Sequence, residues 1–455
     1  MAARTGMLTI DQLNELIDDG KIDTVIVAFT DMQGRLVGKR ASARLFKEEI
    51  SSHGAECCNY LLAVDVEMNT VDGYRISSWE KGYGDMAMIP DLSTLRLVPW
   101  IAGTALVMAD LTWLDERPVD PSPREILKKQ IARLTEKGLV AYVGTELEFI
   151  VFDNSYRDAW GRGYVGLTPS SDYNIDYALL ASTRMEPVLR DIRVSMEGAG
   201  MYCEGVKGEC NLGQQEIAFR YEDALTTCDN HSIYKNGAKE IADKHGKALT
   251  FMAKFNEKEG NSCHIHISFR GSDGTAVFAD DKDPLGMSKM FRHFLAGQLK
   301  TMRELTLFFA PNINSYKRYV EGSFAPTAVA WGLDNRTCSL RVVGHGLGMR
   351  VENRVPGGDV NQYLATAALI AGGLYGIEHE LELEPMFEGN AYVSGAPRVP
   401  TTLREAAELF GQSEIARDAF GADVVEHYLN NAAIEVRAYD AAVTDWERVR
   451  GFERF

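Results

Sequence analysis

Hydrophobic and polar positions alternate most cleanly along residues 144–153, Gly-Thr-Glu-Leu-Glu-Phe-Ile-Val-Phe-Asp. Leu147, Phe149 and Val151 recur at every second position, which predicts a strand with one apolar face. Glu146 and Glu148 then share the other face, about 6.5 Å apart at a rise of about 3.3 Å per residue. Two carboxylates that close repel each other and call for a cation, with hard divalent ions as the natural candidates. The same alternation returns in residues 263–269, where His264, His266 and Ser268 oppose Ile265, Ile267 and Phe269. It returns again in 214–219, with Gln214 and Glu216 opposite Ile217 and Phe219. Residues 350–354 put Arg350, Glu352 and Arg354 on one face, and 335–341 form a strand-like run carrying Arg336 and Arg341.

Around these strands the pattern changes to helical and loop signals. Residues 9–19 predict a short amphipathic helix with Leu13, Leu16 and Ile17 on one side. A β-branched run at 24–29, turn chemistry at 31–34 and a returning strand at 35–40 open a small β-rich domain reaching to about Leu114. The charged, proline-rich stretch 116–121 marks a boundary, giving domains 1–116 and 117–455. Ser122, Pro123 and Glu125 predict a capping box that starts a helix ended by Gly138. Residues 154–176 read as loop, 177–199 and 227–247 as helices, and 249–253 as a strand. Irregular mixing of strands and helices favours a largely antiparallel α+β catalytic domain.

Composition narrows the picture slightly. The 455 residues, 45% hydrophobic and 25% charged, are ordinary for a soluble globular protein. A net charge of −17 argues against nucleic-acid or anionic-membrane partners. Seven cysteines without a C-x-x-C spacing suggest reduced thiols and a cytoplasmic location. Residues 1–20 lack the long apolar core of a signal peptide, and 364–377 are too short to span a bilayer and read as a buried helix.

The polar faces sort by chemistry. Glu146, Glu148, Glu209, Glu216, His264 and Glu352 make an oxygen-rich set with one imidazole, suited to two Mg²⁺ or Mn²⁺ ions. Arg318, Arg336, Arg341, Arg350 and Arg354 make an anion-binding set suited to phosphates and a carboxylate. Together they describe a phosphoryl-transfer site. No Walker A loop, kinase lysine motif or dinucleotide fingerprint is present, so the nucleotide site is of another type.

Six motifs then occur in order: 144–148, the 209–216 stretch with Gly213-Gln214, 261–268, Asn314-Ser315-Tyr316-Lys317-Arg318, Asn335-Arg336, and 350–356. With them the chain resembles the glutamine synthetase superfamily, bacterial type I, over nearly its whole length. The resemblance implies a β-grasp-like N-terminal domain and a catalytic domain built on a curved antiparallel sheet. It also implies a dodecamer of two hexameric rings with active sites between subunits. By motif match Glu148, Glu209 and Glu216 would hold one metal ion, and Glu146, His264 and Glu352 another. His266, Arg341 and Arg350 would meet ATP phosphates, with Ser268 near the nucleoside. Gly260, Arg318 and Arg354 would hold glutamate, and Arg336 would steady the transferring phosphoryl group. ATP would phosphorylate the glutamate side chain and an amine would attack the acyl phosphate.

Two departures bear on the amine. Ammonia-using members carry a Pro-Gly-Tyr-Glu-Ala-Pro flap; residues 321–326 here read Glu-Gly-Ser-Phe-Ala-Pro, so Phe324 stands in place of the flap glutamate. The Asp-Gly-Ser-Ser stretch that supplies an ammonium-binding aspartate has no counterpart in 58–65. Losing both anions makes ammonium a poor ligand, while an aromatic ring suits an alkyl chain. The sequence therefore resembles the γ-glutamylpolyamine and γ-glutamylethanolamide synthetase branch, with putrescine, spermidine or ethanolamine as candidate amines and Glu321 as a candidate contact. The alternatives are an ammonia-using glutamine synthetase, a metal-dependent hydrolase suggested by His264-x-His266, and a catalytically silent assembly. Tyr392 lies where bacterial relatives can be adenylylated, in different surroundings.

Overall fold

The computed structural model describes residues 5–455. Its N-terminal sheet comprises β1 (Thr24–Thr30), β2 (Leu36–Ser42), β3 (Ala55–Cys58), β4 (Asp85–Pro90), β5 (Arg96–Leu97) and β6 (Thr104–Trp113). The order is β2-β1-β6-β4-β3, with β5 also on β6 and a parallel β1–β6 pairing in a β-grasp-like arrangement. Thr9 caps the preceding helix Ile10–Asp18 with a reciprocal bond to Gln12.

The catalytic sheet has nine strands: β7 (Leu139–Phe152), β8 (Cys203–Gly208), β9 (Gln214–Phe219), β10 (Glu222–Asp223), β11 (Ala248–Thr250), β12 (Cys263–Gly271), β13 (Trp331–Leu333), β14 (Leu340–Val343) and β15 (Arg350–Asn353). They lie in the order β13-β14-β15-β12-β7-β9-β8, with β10 and β11 pairing the two ends of β7. Apart from the parallel β13–β14 pair, its ladders are antiparallel, as the irregular element order predicts. The chain is thus α+β, with a long central strand in a largely antiparallel sheet.

The apolar side of that sheet is closed by helices. Phe269 on β12 meets Phe294 of the helix Lys289–Thr301 edge-on at 4.9 Å. The stretch expected to be a buried helix is Gln362–Glu378, and it packs backbone to backbone on Lys289–Thr301. A Cβ on Gly297 would lie 2.2 Å from the Gly372 carbonyl oxygen, and one on Gly376 would lie 2.1 Å from that of His293. The 177–199 and 227–247 expectations correspond to helices Leu179–Gly198 and Ala224–Lys244, the second capped by Asp223. The strand expected at 249–253 is the shorter β11, and the 154–176 loop holds the short helix Tyr156–Gly161.

One local expectation is corrected. The helix Pro123–Glu136 starts at Pro123, but Ser122 makes no side-chain capping bond. Glu125 is half-buried, and burial raises its pKa instead of a cap lowering it. The neighbouring Arg124 explains the inward pull on this first turn. Its guanidinium is 2% exposed and meets Asp229 at 2.9 Å, Asp91 at 2.7 Å and Asp110 at 2.5 Å. Tyr363 adds a 2.6 Å hydrogen bond to Asp229. This cluster ties β6 and the turn after β4 to three helices of the larger region, and it holds Arg124 strongly protonated. Removing the cation would leave carboxylates buried against one another. Arg124→Met is expected to lower unfolding free energy by about 3–5 kcal/mol in chemical denaturation, whereas a solvent-facing Arg454→Met should change it by under about 0.5 kcal/mol.

Candidate active site

Strand register assembles the polar groups. Lys207 on β8 lies opposite Glu216 on β9, which lies opposite Glu148 on β7. Two residues along β7, Glu146 pairs with His264 of β12. His266 of β12 faces Glu352 of β15, and Glu352 faces Arg341 of β14. Because side chains alternate with period two, these cross-strand neighbours all emerge on one face. The row runs across six strands from a lysine to an arginine, with carboxylates and imidazoles between.

At the first end Glu148, Glu209 and Glu216 bring donor atoms within 4.8 Å of one another. Glu148 accepts hydrogen bonds from the Ser262 amide (2.7 Å) and from Gln214 Nε2 (3.1 Å), which fix its carboxylate. The Lys207 ammonium presses against Glu209 and stands 3.9 Å from Glu216, so a positive charge already occupies the edge of this carboxylate pocket. Even so, burial and the charge of Glu146 push Glu216 up to about 8. Three carboxylates around so small a volume suit a divalent cation.

At the centre Glu146, His266 and Glu352 also bring donors within 4.8 Å. His264 Nδ1 is 3.2 Å from Glu352 and 3.5 Å from Glu146, and its Nε2 is buried without a partner. His266 Nε2 lies 2.9 Å from Glu146, while its Nδ1 accepts from Arg350 Nε at 3.1 Å. Both imidazoles therefore reach this second carboxylate pair, not His264 alone. Burial would raise Glu352, yet His264, Arg354 and His266 hold it down to about 2. Hydrogen bonds from both histidines likewise hold Glu146 well below the usual carboxylate range.

The arginines divide into occupied and open groups. Arg354 donates to Glu352 and, at 3.2 Å, to the Phe324 carbonyl. Arg318, 2% exposed, donates to the carbonyls of Arg354, Val355 and Pro356 and to Ser262 Oγ. In both arginines Nε is buried without an acceptor, so each retains one donor for an anion. Gly260 lies against Arg318, where a Cβ would approach its Cγ to 2.8 Å and the Ala253 carbonyl to 2.2 Å. Arg341 bridges Glu352 (2.8 Å) and Asp334 (2.9 Å), and Arg336 is more than half exposed, 3.9 Å from Asp334. Ser268 donates to the Met349 carbonyl at 2.8 Å.

Phe324 is 56% exposed and sits at φ +58°, a left-handed conformation unusual for an aromatic residue. Glu321 on the same loop is exposed. Tyr392 is buried, and burial raises its pKa while Arg354, Arg318 and the Phe324 backbone oppose the rise. Sequence reasoning overlooked two charged members, Lys207 and Asp334. Lys207 had a usable signal, lying two residues before Glu209 and so on the same strand face; Asp334 lies in a turn, where period-two reasoning does not apply.

The profile for the glutamine synthetase catalytic domain matches residues 120–450. The chain belongs to the glutamine synthetase family. The gamma-glutamylethanolamide synthetase GlnA4 of Streptomyces coelicolor is 60% identical over 454 residues, covering 100% of this chain and 98% of that one. The glutamate–isopropylamine ligase of a Pseudomonas species is 38% identical, covering 96% and 97%. Among solved structures, an ADP complex of GmaS aligns with a TM-score of 0.85 at 28% identity, covering 97% of this chain and 99% of that one. Lys207 and two carboxylate clusters share one face of the sheet, and Arg318 and Arg354, each with an unpartnered Nε, lie beside it.

Glu216 supplies a pH test. Below about pH 8 it retains a proton that a cation bound by Glu148, Glu209 and Glu216 must expel. Mn²⁺ affinity in calorimetry is therefore expected to rise with pH up to about 8 and then level off, with proton release seen only below that point. Glu216→Gln should flatten the dependence; a flat profile in the unaltered protein would contradict the assignment.

Proposed function

We propose that this protein joins the γ-carboxylate of glutamate to an amine larger than ammonia, with ethanolamine as the first candidate. ATP transfers its γ-phosphoryl group to the side-chain carboxylate, giving γ-glutamyl phosphate and ADP. The amine nitrogen then attacks the acyl carbon, phosphate leaves, and a proton is lost from nitrogen as the amide forms. The flap observation carries the amine choice: Phe324, held at the mouth by its carbonyl contact with Arg354, offers a ring where ammonia-using members place a carboxylate. The relatives named for ethanolamine and isopropylamine, both alkylamines, support the same reading.

The remaining residues fall into place around that reaction. Glu148, Glu209 and Glu216 would hold one Mg²⁺ or Mn²⁺, and Glu146, His264 and Glu352 a second, with His266 within reach. The mutual crowding of these carboxylates and the ammonium already lodged among them fit such ions. When bound, divalent ions neutralise phosphate charge and polarise the transferring group. Arg341, Arg350 and His266 would meet ATP phosphates, Ser268 would lie near the nucleoside, and Arg336, more than half exposed beside Asp334, would steady the transferring phosphoryl group. Arg354 grips the glutamate carboxylate, while Arg318 mainly positions the 354–356 backbone and offers its open Nε, with Gly260 leaving room. Glu321 would face a cationic amine substituent.

We also carry into this proposal the domain division at 116/117, the two-ring dodecamer with active sites between subunits, and a cytoplasmic location. Exposed Trp446, Phe452 and Phe455 near the C-terminus favour assembly, and the seven cysteines are all unpaired. No helix among the described residues is long and apolar enough to cross a membrane.

The test is phosphate release with ATP, Mg²⁺ and glutamate against an amine panel. A two-carbon alkyl chain packed on Phe324 is worth about 1.5 kcal/mol, so ethanolamine is expected to outrun ammonium by about tenfold or more at equal concentration. Phe324→Glu should weaken amine use and restore ammonia use only partly, because the second ammonium-binding anion is still missing. Efficient glutamine formation by the unaltered protein would return the reading to an ammonia enzyme.

Replacing a metal-set carboxylate gives a further check. Glu148→Ala is expected to abolish turnover and weaken Mn²⁺ binding while the assembly seen in gel filtration persists. Activity near that of the unaltered protein would remove the two-ion arrangement.

A further inference from the structure

A second cavity, of about 720 Å³, lies away from the row of carboxylates. It is bounded by the β1–β2 turn, by β11 and the end of β7, and by one face of the helix Ala224–Lys244. Its walls are mainly apolar, with Phe152, Tyr156, Leu249, Phe251 and Met252 prominent, and its volume suits a drug-sized molecule. From the helix, Lys235 and Lys239 enter one turn apart. Their ammonium groups stand 5.6 Å and 5.7 Å from the centre of the same Phe251 ring.

The charges around these lysines do not balance locally. Neither lysine forms an ion pair with a carboxylate among the described residues. Lys235 donates to the Gly358 carbonyl at 2.8 Å and the Val360 carbonyl at 3.4 Å. Asp359 lines the cavity and spends Oδ2 on Ser315 (2.6 Å) and Asn312 (2.9 Å), while its buried Oδ1 has no hydrogen-bond partner and its charge offsets part of that of Lys235, leaving Lys239 without a carboxylate partner among the described residues. The third cation, Arg35, is committed to Asp31 at 2.6 Å and to the Val66 carbonyl at 2.6 Å. Burial and the neighbouring Lys239 pull Lys235 down to about 8, and burial and Arg35 lower Lys239 as well. Two ammonium groups facing apolar walls, with the single carboxylate of Asp359 lining the cavity, leave a positive balance that matches an amphipathic anion better than a neutral or cationic molecule.

We infer that this cavity is a second ligand site, distinct from the ligase centre, for a small amphipathic anion whose acidic head meets Lys235 and Lys239 and whose apolar body lies on Phe251, Phe152 and Met252. The inference does not depend on which amine the enzyme uses. Asp359, five residues beyond Arg354, lines the cavity, and Lys235 donates to the Gly358 and Val360 carbonyls on either side of it, so an occupant would touch the segment that continues from the glutamate-binding arginine.

The probe is 8-anilinonaphthalene-1-sulfonate, titrated by fluorescence into the full-length protein, with phenylacetate as a carboxylate competitor. One site per chain is expected, displaced by phenylacetate and unaffected by saturating ATP, Mg²⁺ and glutamate. Losing one charge-assisted contact in Lys239→Gln should weaken the dye about tenfold, and Lys239→Arg should restore most of the affinity. Lys239 belongs to no part of the ligase centre, so amine-dependent phosphate release should be unchanged in both variants. Displacement of the dye by ATP, equal affinity in Lys239→Gln, or no binding at all would overturn the site.

Discussion

The register of β7 against its two neighbours is the constraint on which the rest depends. Glu146 and Glu148 are functional only because β9 brings Glu216 opposite one and β12 brings His264 opposite the other. A slip of one residue on either side would turn these groups into the helix-packed core and send Leu147, Ile217 and Ile265 to the polar face. The cost of burying unpaired carboxylates makes such a slip prohibitive. The apolar faces and the charged faces thus specify the same alignment, and the helices behind the sheet hold it.

This explains why so much of the site was legible in the sequence. Glu146, Glu148, His264, His266, Glu216 and Glu352 all sit on strands, where period two states directly which side chains share a face. The helix ranges read from the sequence agree with the structure to within a few residues. What periodicity misses is set by the third dimension. Arg318 reads as a free anion-binding group, but folding places it beneath the 354–356 carbonyls and consumes most of its donors. Ser122 and Glu125 have the spacing of a capping box, but the demand of three aspartates for Arg124 governs that turn. Asp334 enters through a turn at φ +47° and carries no pattern at all.

The carboxylates of the site are paired with cations of the chain itself. Lys207 leans on Glu209, two histidines bracket Glu146, and Arg341 and Arg354 share Glu352. Among them, Arg341 and His266 are groups that the ligase chemistry would redirect toward phosphate, and Arg354 toward glutamate. The carboxylates that hold these cations are the ones suited to a divalent ion, so the chain's own cations and a metal compete for the same oxygens.

The close approach of Gly297, Gly372 and Gly376 carries a different implication, about where this architecture can change. Two helices touching through backbone atoms leave no volume for a methyl group, and the aromatic layer beneath them is equally filled. The scaffold behind the catalytic strands thus has little freedom to shift when a bulkier substrate is to be accommodated. Variation must instead be absorbed at the rim, by positions such as Glu321 and Phe324 whose side chains face solvent. A rigid back and a replaceable lip let one phosphoryl-transfer apparatus serve nucleophiles of different size without being rebuilt.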